Sequence, residues 1–304
     1  MAAYERITRY LYLYNQGDVC EIHPPVFLFK ILTYSCKNYS TPERSTLHME
    51  YGICNLALIP LRAEPSDKSE QVSQILFGEA FEILEWTDRW VKVVTAYDEY
   101  EGWIGRLQFV MLGHIAYKSL TQVTPPITYR AVTQAWKKPD NSVLYLPVGS
   151  SLVFLKGTTC HINNEKFEII GEIGETEALD VTAKSFLNTP YLWGGRTHYG
   201  IDCSGFTQAV YKLQGLCLRR DASMQAEQGE TVDFITEARL GDLAFFDNEE
   251  GRITHVGIML NNKDVIHASG RVKIDGIDSQ GIYSEEQKRY THRLRIIKRM
   301  IQSR

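Results

Sequence analysis

The sequence has no C-x-x-C pair. Its six cysteines, Cys20, Cys36, Cys54, Cys160, Cys203 and Cys217, are scattered, which argues against both a disulfide framework and a structural zinc site. No apolar run approaches the roughly 18 residues that a membrane span requires. Positive charge is not in excess: 33 Lys and Arg stand against 37 Asp and Glu, a formal net charge of -4. Such a chain lacks the field that holds phosphate backbones or anionic lipid, so neither nucleic acid nor membrane is an expected partner. Proline is scarce at 10 residues, and nothing in the composition suggests disorder or a collagen-like repeat. A secretion signal is also not expected, because the run "VFLFKILTY" follows Glu5, Asp18 and Glu21 and is broken by Lys30. The expected location is the cytoplasm.

What is present is enough apolar residue, 44% of 304 positions, for two or three compact units. Residues 1–48 keep neither a strand nor a helix period and read as an N-terminal extension of uncertain status. Residues 49–112 form brief alternating runs split by Gly, Pro, Asp and Ser, the pattern of a small barrel. A second copy is expected over 113–174, because "VSQILFGEAFEIL" at 72–84 matches "VLYLPVGSSLVFL" at 143–155, aligning Gly78 with Gly149. From 175 to 304 helical and strand patterns alternate. One helical layer packed on an antiparallel sheet, an α+β unit, is the expected result.

Within that unit, "YGIDCSGFTQAV" places Cys203 directly after a good capping residue, Asp202, and ahead of an apolar stripe through Phe206, Ala209, Val210 and Leu213. The first turn of a helix offers unpaired N–H groups and the positive end of the dipole, an environment that favours thiolate and can receive an oxyanion. A base is available on the strands "THVGIML" and "DVIHAS". If "NNK" makes a three-residue loop, Leu260 pairs with Asp264, and His267 lies diagonally beside His255 on one face. Nucleophile, base and orienting group would then come together. Upstream, "PYLWGGRTHYG" supplies two glycines and Trp193, which could wall a groove or fill a core. Asp221 in "RRDASMQ" could cap a third helix or serve a substrate.

The segments "YLWGGRTHYGIDCSGFTQ", "LGDLAFFD", "ITHVGIML" and "VIHASG" resemble the NlpC/p60 cysteine peptidases of bacterial cell-wall metabolism. The resemblance spans about residues 178–304 and implies a papain-like α+β fold preceded by two small all-β SH3-like barrels. It implies Cys203 as nucleophile, His255 as general base and His267 as the orienting third residue. The arrangement looks like the subgroup that recycles murein peptides in the cytoplasm, cutting between γ-D-glutamate and L-lysine or meso-diaminopimelate when an N-terminal L-alanine is free. That likeness implies a murein-derived peptide as substrate, with Asp221, Tyr100 and Glu64 around its amine and Ser204 and Trp193 beside the nucleophile. It implies no metal or organic cofactor. The competing expectations are an inert wall-peptide binder, or an amidase or acyltransferase using the same cysteine and histidine.

Overall fold

The computed structural model describes residues 50–300. The expected extension at 1–48 lies outside them. The first part is all β: β1 (Glu50–Ile53), β2 (Leu58–Arg62), β3 (Gln71–Leu76), β4 (Ala80–Trp86), β5 (Trp90–Thr95), β6 (Glu101–Gly105) and β7 (Val110–Leu112). They form one antiparallel sheet in the order β3-β2-β6-β5-β4-β1-β7. Period-two alternation buries Ile59, Leu61, Ile75, Phe81, Val91, Val93 and Ile104 in its core.

A short helix, α1 (His114–Gln122), follows where only strands were expected. None of its residues is buried, so it carries no amphipathic signal strong enough to read from the sequence. It is held by Tyr117, which stacks on Tyr51 at 3.9 Å. Next come β8 (Val132–Lys138), β9 (Ser142–Pro147), β10 (Thr159–Ile162) and β11 (Glu165–Ile170), in the order β10-β11-β8-β9. The repeat is visible at its turn: Gly78 and Gly149 have φ of 75° and 77°. Beyond the turn the copies part, since residues 150–155 form no strand opposite β9. Instead Ser151 donates its N–H to Phe77 O at 2.8 Å, and a Cβ on Gly78 would lie 1.9 Å from Ser151 O. The two turns abut, and Leu146, Phe167 and Ile169 share one core with Tyr51, Ile53 and Phe77 of the first part. The four-stranded sheet therefore packs its core, with Ala135, Cys160 and Ile162, directly onto the first part.

The third part contains α2 (Leu179–Ser185), the strand pair β12 (Arg196–Thr197) and β13 (Gly200–Ile201), α3 (Cys203–Leu213) and α4 (Ala222–Gln225). Seven strands follow: β14 (Glu230–Val232), β15 (Leu243–Asp247), β16 (Ile253–Met259), β17 (Asp264–Ser269), β18 (Arg271–Ile277), β19 (Gly281–Ser284) and β20 (Arg289–Arg299). Their order is β14-β20-β15-β16-β17-β18-β19, and β19 also pairs with β20, so β15 to β20 close into a barrel. The outer face, with Phe245, Val256, Ile258, Ile266 and Ala268, packs under α3 against Phe206 and Val210. The inner face holds Phe246, Met259, Val265, Ile277, Ile282 and Ile297. No helix among the described residues is long and apolar enough to cross a membrane.

Candidate active site

Asp202 caps α3 as its sequence position suggests. Its backbone is extended, and its carboxylate accepts the Gly205 N–H at 2.6 Å, the Gly194 N–H at 2.8 Å and two guanidinium donors of Arg220 at 3.1 and 2.5 Å. Arg220, only 1% exposed, also reaches Ser204 Oγ and, in the first barrel, Ser73 Oγ, each at 2.9 Å. The glycine at 205 is needed because the loop before the helix runs against it: a Cβ there would lie 2.2 Å from Gly195 O. Cys203 is thus fixed at the first helical position by a network that spans two parts of the chain.

The thiol does not follow the helix-tip expectation. Burial first, and then the Asp202 carboxylate, push it up to about 12, against backbone hydrogen bonds from Val256 and Ser204 and the charge of Arg220. With the side chain 6% exposed, lost hydration outweighs the dipole. The bond from Val256 locates the sulfur. Leu260 N–H donates to Asp264 O at 2.9 Å, so alternate pairs along the hairpin are the hydrogen-bonded ones, and Val256 would bond Ala268 next. The register instead ends at Gly257–His267, and the freed Val256 N–H serves Cys203. The sulfur sits where β16 and β17 part.

The three-residue loop 261–263 sets the expected hairpin register, with Gly257 opposite His267 and His255 one diagonal step away. His255 Nε2 lies 2.8 Å from His267 Nδ1. Both rings turn to the barrel interior, on the side of Phe246, Met259 and Val265, rather than to the face under α3 where Cys203 packs. No hydrogen bond joins Sγ to the His255 ring among the described residues; such bonds often tighten only with substrate bound. Burial, with His267 and His292 as like charges, holds His255 well below the ordinary imidazole range. The resting pair is therefore neutral thiol and neutral imidazole.

Two neighbours were not read from the sequence. Asp275 Oδ2 on β18 lies 3.0 Å from His267 Nε2 and 3.1 Å from Lys273 Nζ. His292 on β20 stacks on His255, with ring centres 4.1 Å apart and planes 25° from parallel. His255, His267 and His292 bring ring nitrogens within 4.8 Å of one another. A metal is poorly suited there, because stacked rings direct their in-plane lone pairs side by side, and the His255–His267 nitrogens already share a hydrogen.

Asp221 precedes α4, but its side chain makes no cap bond. Both carboxylate oxygens instead accept from Tyr100 OH, each at 3.1 Å, across the boundary with the first barrel. Burial raises the Asp221 carboxyl pKa, opposed by the Tyr100 hydrogen bond and by the charge of Arg220, which makes no ion pair with it. Trp193 is 57% exposed and donates its indole N–H to Glu70 Oε1 at 2.5 Å. It is not a core aromatic. Ser204 is buried beside Arg220. Glu64 lies in the exposed turn after β2, where its own N–H donates to Ser69 Oγ at 2.9 Å and its carboxylate makes no bond among the described residues. The acid of that turn that reaches the third part is Glu70.

Comparison with known proteins agrees with this layout. Residues 188–295 match the NlpC/P60 family, and residues 61–106 match the bacterial dipeptidyl-peptidase Sh3 domain. "Dipeptidyl-peptidase 6" of Lysinibacillus sphaericus is 30% identical over 254 residues, covering 72% of this chain and 89% of that one. "Gamma-D-glutamyl-L-lysine dipeptidyl-peptidase" of Bacillus subtilis is 28% identical over 244 residues, 74% of this chain and 77% of the relative. In fold, the chain resembles the crystal structure of an NlpC/P60 family protein from Bacillus cereus, with a TM-score of 0.65 at 20% identity over 82% of this chain and 99% of that one.

Proposed function

The chain belongs to the NlpC/P60 family and is a peptidase of that kind, and we propose that it hydrolyses the bond between γ-D-glutamate and a diamino acid in murein peptides with a free N-terminal L-alanine. The supporting relatives are dipeptidyl-peptidases by name, one of them acting on γ-D-glutamyl-L-lysine. The observation that supports the assignment of roles is a helix-tip sulfur bonded to the N–H of Val256, the residue next to His255, whose own Nε2 is already engaged by His267. Only Nδ1 of His255 remains to take a proton.

In this reading the Cys203 sulfur attacks the γ-carbonyl carbon of D-glutamate while its proton passes to His255 Nδ1. Because both groups rest neutral, transfer accompanies attack rather than preceding it. The carbonyl oxygen gathers charge near the Cys203 N–H at the start of α3. His255 then returns the proton to the leaving amine, and the C–N bond breaks to leave a thioester. Water, losing its proton to the same nitrogen, attacks the thioester and releases L-Ala-γ-D-Glu and the thiol. These steps call on side chains and water alone.

Asp221 and Tyr100 support the selection of a free amine. A half-buried carboxylate with one hydroxyl donor, on which Arg220 acts only through space while itself paired with Asp202, fits an ammonium group. A blocked or sugar-linked alanine would leave that charge unpaired. In this reading Trp193, exposed and braced by Glu70, walls the path of the substrate to Cys203. Recycling of wall fragments in the cytoplasm is the setting that fits this specificity.

Mass spectrometry of products from L-Ala-γ-D-Glu-L-Lys and its meso-diaminopimelate counterpart tests the reading. Wild type releases L-Ala-γ-D-Glu, and Cys203→Ala releases none while keeping the wild-type circular dichroism. Wild-type turnover by Cys203→Ala would remove the cysteine mechanism; products joined to a second amine would indicate acyl transfer instead.

A further inference from the structure

One buried carboxylate in the barrel mouth has no part in the steps above. Asp275 is 8% exposed, and its Oδ2 is within hydrogen-bond distance of both His267 Nε2 and Lys273 Nζ. Lys273 lies 3.5 Å from Glu286 as well, so the cation is shared between two acids. Burial would raise the Asp275 carboxyl pKa, but hydrogen bonds from His267 and Lys273 outweigh it and hold the group ionised at neutral pH. An ionised carboxylate can only accept hydrogen bonds.

We propose that Asp275 is a positioning residue that fixes the tautomers of both histidines, so that His255 presents a bare Nδ1 to Cys203. The chain of consequence is short. His267 must carry its hydrogen on Nε2 to donate to Asp275. Burial keeps His267 neutral, so its Nδ1 is then a lone pair and can only accept. The hydrogen in the 2.8 Å bond belongs to His255 Nε2. A neutral imidazole has one N–H, and His255 Nδ1 is left unprotonated. His292 does not disturb this order, because it meets His255 ring face to ring face and its Nδ1 is taken by Thr291 Oγ1 at 2.9 Å. The inference rests on the proposed reaction for its purpose, though not for its tautomer assignment.

The experiment uses the full chain with 15N-labelled histidine. Wild-type spectra are expected to show His255 and His267 each protonated at Nε2 and bare at Nδ1; a protonated Nδ1 on His255 would overturn the proposal. Asp275→Leu removes the acceptor while keeping the bulk. It should give mixed His267 tautomers and lower kcat by about 100-fold or more, with KM within about threefold of wild type, the range general base catalysis supplies. Asp275→Asn can place its carbonyl oxygen where Oδ2 stands. It should retain the wild-type tautomers and kcat within about tenfold of wild type, since that oxygen still accepts from His267 Nε2–H. A folded Asp275→Leu with wild-type kcat would sink the proposal, and if that variant does not fold the wild-type spectra still decide. Turnover by Cys203→Ala, in contrast, would remove the reaction and leave the tautomer assignment standing.

Discussion

Glu79→Gln is the sharpest test of how the first barrel holds the peptidase unit. Glu79, 4% exposed in the turn between β3 and β4, faces Arg196 Nη1 and Nη2 at 2.9 and 3.0 Å, Lys212 Nζ at 2.6 Å and the Leu76 N–H at 2.8 Å. Both cations belong to the third part of the chain. The amide has the same shape but no charge, and it turns an NH2 toward donors. Two buried cations lose their ion-pair partner and keep only the more distant charge of Asp98, a loss of about 3–5 kcal/mol. The ionisation of Glu79 gives a second gauge. Burial alone would raise its pKa, but Arg196 and Lys212 pull it from 4.5 to about 2, which at about 1.4 kcal/mol per unit is roughly 3 kcal/mol. A depressed carboxyl contributes stability that is present above the unfolded value and lost as pH falls through the folded one. Urea unfolding followed by tryptophan fluorescence should therefore show a gap of about 3 kcal/mol or more between wild type and variant at pH 7, narrowing from pH 4.5 toward 2. A gap below about 1 kcal/mol at pH 7, or one that does not change with pH, would refute the reasoning. Lys212→Met serves as the control. Burial, with Arg196 adding repulsion, lowers the Lys212 ammonium pKa, so its loss leaves a neutral Glu79–Arg196 pair and should cost less than Glu79→Gln.

Two further outcomes are expected. Asp221→Asn should lower kcat/KM for free-amine peptide by about 10- to 100-fold, the weight of a charged hydrogen bond, and leave N-acetylated peptide unchanged; an equal loss on both would contradict the amine anchor. Acid should destabilise the protein from about pH 6.5 downward through its buried histidines. Burial lowers His198 and His292 to about 4 and holds His255 and His267 below their ordinary range. Between pH 6.5 and 4 the unfolded chain binds more protons than the folded one, and stability falls with pH across that window. Melting temperature measured from pH 7.5 to 5 should decline; a flat profile would mean that these rings are not buried neutral.

Short-range features were legible in the sequence. The Asp202 cap, the start of α3, and the 261–263 loop that sets His267 beside His255 depend on neighbours a few positions apart, where turn parity and capping chemistry decide the outcome. What escaped depends on distant partners. Asp275 and His292 lie on β18 and β20, in a charged stretch with no clean alternation, and become polar interior residues only because β20 pairs with both β15 and β19 to close the barrel. Arg220 and Glu79 look like surface charges until segments more than 100 positions away bury them. The thiol was misjudged for the same reason: the dipole is visible in the local sequence, whereas the packing that strips water from the sulfur is not. The repeat is legible at its glycine turn, while the way residues 150–155 turn to meet the first part depends on contacts with Phe77 and Gly78 that lie far away in the sequence.

The sulfur and the imidazole relay come from different layers: one tops a helix, the other lines a closed ring of strands. His255, His267 and Asp275 hold one another without help from Cys203. In the proposed reading, a single substitution at 203 silences the chemistry and leaves the Tyr100–Asp221 pair and the ring standing. On that reading a variant that holds its peptide without cutting it is one substitution away, and intact histidines alone do not mark such a chain as active.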